Sequence, residues 1–548
     1  MDFTFYVWWF FRHFFLFLVV LYLISGLDDL VIDATYYLRI FFRSIFRRKV
    51  IRPVTREQLA QIPEKPVVII VPAWDESNVI SRMLLNTINT VLYKNYHIFV
   101  GTYPNDEATK IEVEKMRELY PNIEVVVTPS DGPTNKADCL NWIYQGIRIY
   151  EKDHNKKFEI FVFHDAEDVV HPLSLTYYNY LMPRIHFVQV PVFPLEQAWW
   201  GFTTGMYMDE FAENHTKDLR VRELLGRAIP SAGVGTALSR EAMDYLASLR
   251  NNQLFDITSL TEDYVMGLSL RDMPGKKILL QQSVDHAVTV KRRWHKGTRE
   301  SVVNEHIATR EFFPSNFWDA VHQKSRWILG ISIQGWNYGW TKSLGLNYCL
   351  FRDRKAVVTN IMTVVGYLVV AYWGIAELVG WLAPARAVPP LVEVDEPVFK
   401  LIYVVIGLFF WRLFNRAFCV WRIYGPLQAL LSMPRMFYGN LLNFAATCKA
   451  IHRYVNARLS KQTPAWGKTR HAYPTEDQMR TFRRKLGDLL LERRMITAEQ
   501  LQAALDRQKT SGIKLGSILI EMGALKDEDL QRILTHQRNG SPAHPDGA

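Results

Sequence analysis

Apolar residues are not spread evenly along the chain but gather in three long runs, separated by a large mixed region. The first runs from Phe3 to Leu27, interrupted only by Arg12 and His13. Its charge does not come first, and Ser25-Gly26-Leu27-Asp28-Asp29 follows in place of a small-residue cleavage site, so an uncleaved anchor is expected at 1–27. The second, Ala356 to Ala376, has no charge in 21 residues, about the length that crosses a bilayer core, and predicts a spanning helix over 356–383. The third, 401–424, runs into Arg412, Arg416 and Arg422, which would have to snorkel or face protein. Residues 425–455 are apolar but broken by Pro434, Arg435, Gly439 and Lys449. They read as interfacial amphipathic helices or as a helix packed on the middle domain.

Between the first two runs, short apolar stretches alternate with helical patterns. Strands are expected at Val67–Val71, Tyr96–Tyr103, Ile123–Thr128 and Phe158–Phe163. Helices should start near Ser77, acting as a cap, near Asp106 and near Thr134. This is the signature of an α/β domain with a parallel sheet, expected over 65–350. Ligands of such sheets sit at the carboxyl ends of the strands. Polar clusters stand there: Trp74-Asp75-Glu76, Asn105-Asp106 and His164-Asp165-Ala166-Glu167-Asp168. Three carboxylates in four residues repel one another and point to a bound cation.

Net charge is +10, from 65 Lys+Arg against 55 Asp+Glu. The basic residues flank the apolar runs: Arg39 to Arg52, Arg352 to Lys355, and Arg422 to Arg453. The loop 384–400 has no basic excess. The positive-inside rule therefore puts that loop in the periplasm, the 28–64 juxtamembrane segment, the middle domain and the tail in the cytoplasm, and the N-terminus outside. The charge is a topology signal, and no nucleic-acid motif accompanies it. Four scattered cysteines give neither a disulfide framework nor a zinc site.

Thr261-Glu262-Asp263 and Gln323-Lys324-Ser325-Arg326-Trp327 complete a set that resembles the processive, membrane-embedded glycosyltransferases of family 2. The resemblance implies a GT-A (Rossmann-like) fold, a nucleotide-sugar donor, most simply a UDP-N-acetylhexosamine, and Mg²⁺ or Mn²⁺. It further implies that Asp75 and Asp106 contact the nucleoside and that Asp165 and Glu167 hold the metal, with Asp168 a further candidate. Glu167 stands where the family has a second Asp. Lys136, in the segment Lys136 to Asn141, lies near the nucleotide. Asp263 is the general base of an inverting transfer, Gln323 and Arg326 lie at the donor, and Trp327 stacks on the acceptor.

A polar linker is expected at 456–480. It contains Trp466-Gly467-Lys468-Thr469, but Gln462 stands where a phosphate-binding loop needs Gly. Residues 481–540 repeat with an offset of 29: Leu486-Gly487 recurs as Leu515-Gly516, Leu501 as Leu530, Leu505 as Leu534 and Gln508 as Gln537. This small all-α tandem resembles the MshEN module. The resemblance implies cyclic di-GMP as an allosteric ligand held by these residues, with Lys485 and Lys514 in the place of the module's arginines. The whole arrangement is similar to the phage adsorption protein B family of inner-membrane glycosyltransferases. That implies an exopolysaccharide product, a growing-polysaccharide or lipid-linked acceptor and an outer-membrane export partner. Two other readings stay open: a non-catalytic membrane receptor or export scaffold, and a single-sugar transferase to a lipid carrier.

Overall fold

The computed structural model describes residues 3–46, 56–291, 298–384, 389–393, 395–460, 472–474, 486–492, 495–511 and 513–530. The first helix, α1 (Phe3–Phe46), has 44 residues. At 1.5 Å per residue it exceeds a bilayer core of about 30 Å. The expected boundary at residue 27 is therefore not a helix end. Asp28, Asp29, Asp33 and Arg39 do not break α1 because each finds a partner on another element. Arg352 and Lys355 pair with Asp28, Lys217 with Asp33, and Arg39 with Glu223 at 3.2 Å. The basic residues 47–52 lie outside the described residues.

After α2 (Arg56–Ala60) the chain builds β1 (Val67–Pro72), α3 (Ile80–Thr90), β2 (Tyr96–Thr102), α4 (Glu107–Leu119), β3 (Ile123–Val127), α5 (Lys136–Asp153), β4 (Ile160–Phe163) and α6 (Ser174–Leu181). These elements follow the expected alternation. Ser77 does not cap α3, whose first turn follows Val79. Asp106 does cap α4, accepting from Thr109 N–H. Next come β5 (Ile185–Gln189), β6 (Val192–Pro194), α7 (Phe202–Glu213), a π-helical turn (Asn214–Asp218), α8 (Leu219–Gly226), β7 (Thr236–Ser239), α9 (Arg240–Leu249), α10 (Glu262–Ser269) and β8 (Lys276–Leu279).

The main sheet has the order β3-β2-β1-β4-β7-β5-β8. It is mixed, not parallel throughout: β7 runs antiparallel to both β4 and β5. Four fully buried residues carry no alternation that could reveal this reversal. Apolar residues of β1 alternate between two cores, Val67, Ile69 and Val71 toward α3 and α4, Val68 and Ile70 toward α5 and α9. This is a GT-A-like fold.

β9 (Ser283–Lys291) and β10 (Thr298–His306) form a hairpin, and β11 (Thr309–Glu311) pairs with β6. Then α11 (Phe317–Trp327) leads through a second π-helical turn (Ile328–Ile333) toward α12 (Leu344–Leu382), α13 (Pro397–Tyr424) and α14 (Pro426–Ser460). Among the described residues three helices, α1, α12 and α13, are long and apolar enough to cross a membrane. The arginines of α13 face protein: Arg412 meets Asp29 and Arg416 meets Glu213, each at 2.9 Å. The 425–455 segment is one helix, α14. It packs on the α/β domain through Arg435 and Tyr438, while Leu427, Leu430, Phe437 and Leu441 stay exposed.

The linker is not uniformly polar in its environment, since Tyr473 is buried in the same core as Val169 and Leu175. The tail forms α15 (Leu486–Glu492), α16 (Ala498–Ser511) and α17 (Leu515–Glu521), with its own small core.

Candidate active site

A cavity of about 560 Å³ opens at the carboxyl ends of β1 and β4. Lys136, Asp165, Glu167, Asp263, Gln323, Arg326 and Trp327 all line it. Each arrives on a different local device. Asn135 caps α5 by accepting from Asp138 N–H at 2.8 Å, which sets Lys136 at the first helical position. Asp165 and Glu167 sit in the turn after β4. Glu262 and Asp263 open α10. Gln323, Arg326 and Trp327 share the last turns of α11, itself capped by Asn316.

Lys136 Nζ pairs with Asp165. Burial opposes the ammonium charge, but Asp165, Glu262 and Asp263 outweigh it and raise the Lys136 pKa. The carboxyls are crowded. Burial pushes Glu262 up to about 7, with Asp263 adding to the shift and Lys136 opposing it. Burial likewise raises Asp263, again against Lys136. Asp263 Oδ1 accepts from Tyr264 N–H at 2.7 Å. Its other oxygen lies so close to the small-residue loop 231–236 that a Cβ on Gly233, where φ is +78°, would come within 2.8 Å of it. That loop needs glycine to let the carboxylate stand there.

Three positions differ from the expected picture. Asp168 points inward: it is fully buried, pairs with His164 Nδ1 at 2.6 Å and accepts from Asp165 N–H at 3.1 Å. Through Oδ2 it therefore braces the acidic turn, while its buried Oδ1 makes no hydrogen bond to a described residue. Asp75 and Asp106 are not among the residues lining the cavity. Asp75 is exposed with φ +54°, and its N–H donates to Asp106, which also caps α4. Trp74, Glu76 and Tyr103 line that end of the cavity instead. Acidic residues that sequence reasoning missed also line the cavity: Glu210, Asp218, Glu311 and Asp353. Glu311 of β11 joins the lining, and burial, then Asp168, Glu167 and Asp165, hold its carboxyl well above the usual range. It belongs to no acidic cluster in the sequence, so only the β11–β6 pairing reveals it.

In the tail, the leucines and glycines face each other inside the module. A Cβ on Gly487 would meet Leu501 and Leu515, and one on Gly516 would meet Leu530 and Leu486. The repeats thus pack reciprocally. Leu505 is partly buried against the same core, Gln508 donates to Ile513 O at 3.1 Å, and Lys514 is exposed. Lys485, Leu534 and Gln537 lie outside the described residues.

Residues 63–330 match the family model described as "Glycosyltransferase like family 2". The chain carries a family 2 glycosyltransferase domain. Its strand-end acids and the α11 cluster all fall inside the matched span. Over 498 residues, 89% of the chain, it is 40% identical to bacteriophage adsorption protein B of Escherichia coli K12 and to bacteriophage N4 adsorption protein B of Escherichia coli O157:H7. It spans 66% of the length of those relatives, a little under two thirds. Among solved structures, the mannosyltransferase PcManGT from Pyrobaculum calidifontis, in complex with GDP-Man and Mn²⁺, is 15% identical with a TM-score of 0.45, covering 78% of this chain and 98% of its own.

Proposed function

We propose that this protein is an inner-membrane, metal-dependent, inverting glycosyltransferase that extends an exopolysaccharide from a nucleotide-sugar. One observation carries the reading: residues from the turn after β4 and from α5, α10 and α11 converge on one cavity as acids, a partly buried lysine, an arginine and a tryptophan. In transfer, negative charge grows on the departing diphosphate. Lys136 and Arg326 lie where they can meet it, and preorganised cations act on charge that develops in the transition state. Asp263 takes the proton of the attacking acceptor hydroxyl. Direct displacement with a single base inverts the anomeric centre. Trp327, grouped with Tyr207, Phe211 and Phe313 at ring separations of 6.0–6.4 Å, offers the acceptor an aromatic face.

The oxygen donors present suit a hard divalent cation. Asp165 and Glu167 would hold it, and the crowding that raises Glu311 is what such a cation would relieve. Among the described residues no three such side chains stand ready to hold an ion by themselves. That suits Mg²⁺ or Mn²⁺, which keep ligands from the donor's phosphates. When bound, the ion neutralises the leaving diphosphate.

The basic flanks support a cytoplasmic catalytic domain and tail, with the α12–α13 loop on the other side. The reciprocal packing of the two tail repeats and the exposed Lys514 support a module that takes cyclic di-GMP and shifts activity by favouring one docked state.

The test uses the full chain in nanodiscs with a panel of labelled UDP- and GDP-sugars, with and without cyclic di-GMP. One donor is expected to label polymer, EDTA to abolish labelling, and Mn²⁺ or Mg²⁺ to restore it. No labelling with any donor leaves the scaffold reading. A second expectation concerns pH. A base must be ionised to act, and both carboxyls that open α10 are pushed up by burial. Rate should therefore rise with pH along a limb displaced above the ordinary carboxylate range near about 4. An acid limb at about 4 would show that neither group limits the rate.

A further inference from the structure

The rod formed by α7, the π-helical turn and α8 makes one wall of the cavity. A π-turn is rare, and it re-aims the side chains that follow it. Here His215, Thr216 and Lys217 are each committed to a partner. His215, held neutral by a burial that lowers its pKa to about 3, accepts from Val192 N–H and stacks on Phe211 at 5.3 Å. Thr216 donates to Ala212 O, and Lys217 pairs with Asp33 and Glu213. Asn214 differs. It is exposed, it lines the cavity, and its amide makes no hydrogen bond to any described residue. One helical turn before it stands Phe211, which meets Phe313 at 4.8 Å and Trp327 at 6.1 Å.

A pyranose ring has an apolar C–H face and an edge of hydroxyls. A site for it needs aromatic surface beside a group that can both donate and accept, and a side-chain amide does both. We infer that Asn214 is the polar reader of an acceptor-sugar subsite whose apolar floor is Phe211 and Trp327, backed by the buried Phe313. The inference rests on the transferase reading above. Trp74 and Tyr103 line the cavity end by β1 and β2, where the nucleotide belongs, while Asn214 stands on the wall that carries Phe211. Asn214 is a binding residue here and takes no part in proton transfer.

The test measures steady-state transfer by the full chain in nanodiscs, with the donor that gives turnover and with cellobiose and N,N′-diacetylchitobiose as acceptor probes. Asn214→Ala should raise the half-saturating concentration of a productive probe by about 3–10-fold, the effect of one uncharged hydrogen bond. The donor KM should move less than about 2-fold. Asn214→Asp, which keeps an accepting oxygen and loses the donating amide, should fall between the two. An unchanged acceptor KM in Asn214→Ala overturns the subsite. So does an equal fall in kcat and donor affinity with a lower melting temperature in both variants, which marks a structural residue. A wild-type enzyme that turns over donor but answers neither probe overturns it too. Absence of turnover by the wild type with every donor overturns the transferase reading itself, and is thereby distinguished from failure of the subsite.

Discussion

Asp263→Asn is expected to lower sugar transfer by about 10²–10⁴-fold while leaving nucleotide-sugar binding within a few-fold. The substitution is nearly isosteric. The amide oxygen can still accept from Tyr264 N–H, as Asp263 Oδ1 does at 2.7 Å, so α10 should start as before. What is lost is the basicity of the carboxylate that would take the acceptor's proton. The change also removes one negative charge from beside Lys136 and Glu262. Asp263 is one cause of the raised Glu262 carboxyl, so Glu262 should titrate lower in the variant and be more fully ionised near neutrality. That makes Glu262 the natural substitute base, and Glu262→Gln is the control. If Asp263→Asn turns over like wild type while Glu262→Gln does not, the base is Glu262. If both retain transfer, the double variant decides: its loss of transfer means that either carboxyl can serve, and its retention that neither is the base. Equilibrium binding of labelled donor, measured beside turnover, separates loss of chemistry from loss of binding.

The donor-side half of this site was legible because a strand ends where its ligand begins. Val67–Val71 and the run to Phe163 announced β1 and β4, and polar residues just beyond them could sit only at the sheet's carboxyl edge. The rest depends on partners far away in sequence. Asp168 looked like the third member of an acidic cluster, but its neighbour His164 draws it into the core. Asp106 follows its strand as a nucleotide-binding residue would, yet the same residue type is also a good helix cap, and capping α4 is what it does. Glu311 and Asn214 reach the cavity through a β11–β6 pairing and a π-turn, neither of which leaves a periodic trace. The charges after residue 27 looked like the end of a span because lone charges end spans. Their partners on α8, α12 and the π-turn, roughly two to three hundred residues onward, let α1 continue to Phe46.

The same principle makes Arg435 the most vulnerable residue outside the cavity. It is 1% exposed, lies inside α14 and grips Asp209 of α7 with two bonds of 2.9 and 2.7 Å; Gln428 accepts two more through its side-chain and backbone oxygens. Arg435→Met keeps much of the volume and leaves Asp209 buried without its cation. Breaking a buried pair by removing one partner costs about 3–5 kcal/mol. Burial already pushes the Asp209 carboxyl up to about 7, with Arg435 pulling it down. Losing Arg435 raises it further. A carboxyl raised on folding contributes stability that is complete below its unfolded pKa and is lost as pH rises through the folded one. Below about 7 both proteins hold Asp209 protonated and no ion pair is broken, so the deficit there should be level and short of the roughly 3–5 kcal/mol that applies once the carboxyl is ionised. Above 7 the wild-type carboxylate ionises against Arg435 and the variant's cannot, so the deficit should widen with pH. Thermal melts in detergent at pH 6 and pH 8.5 measure this directly. Adding Asp209→Asn to Arg435→Met should recover part of the loss and flatten its pH dependence. A single variant that melts like wild type at both pH values would mean that the α7–α14 contact is held by its apolar neighbours, Met206, Tyr207, Leu442 and Ala446, and not by the ion pair.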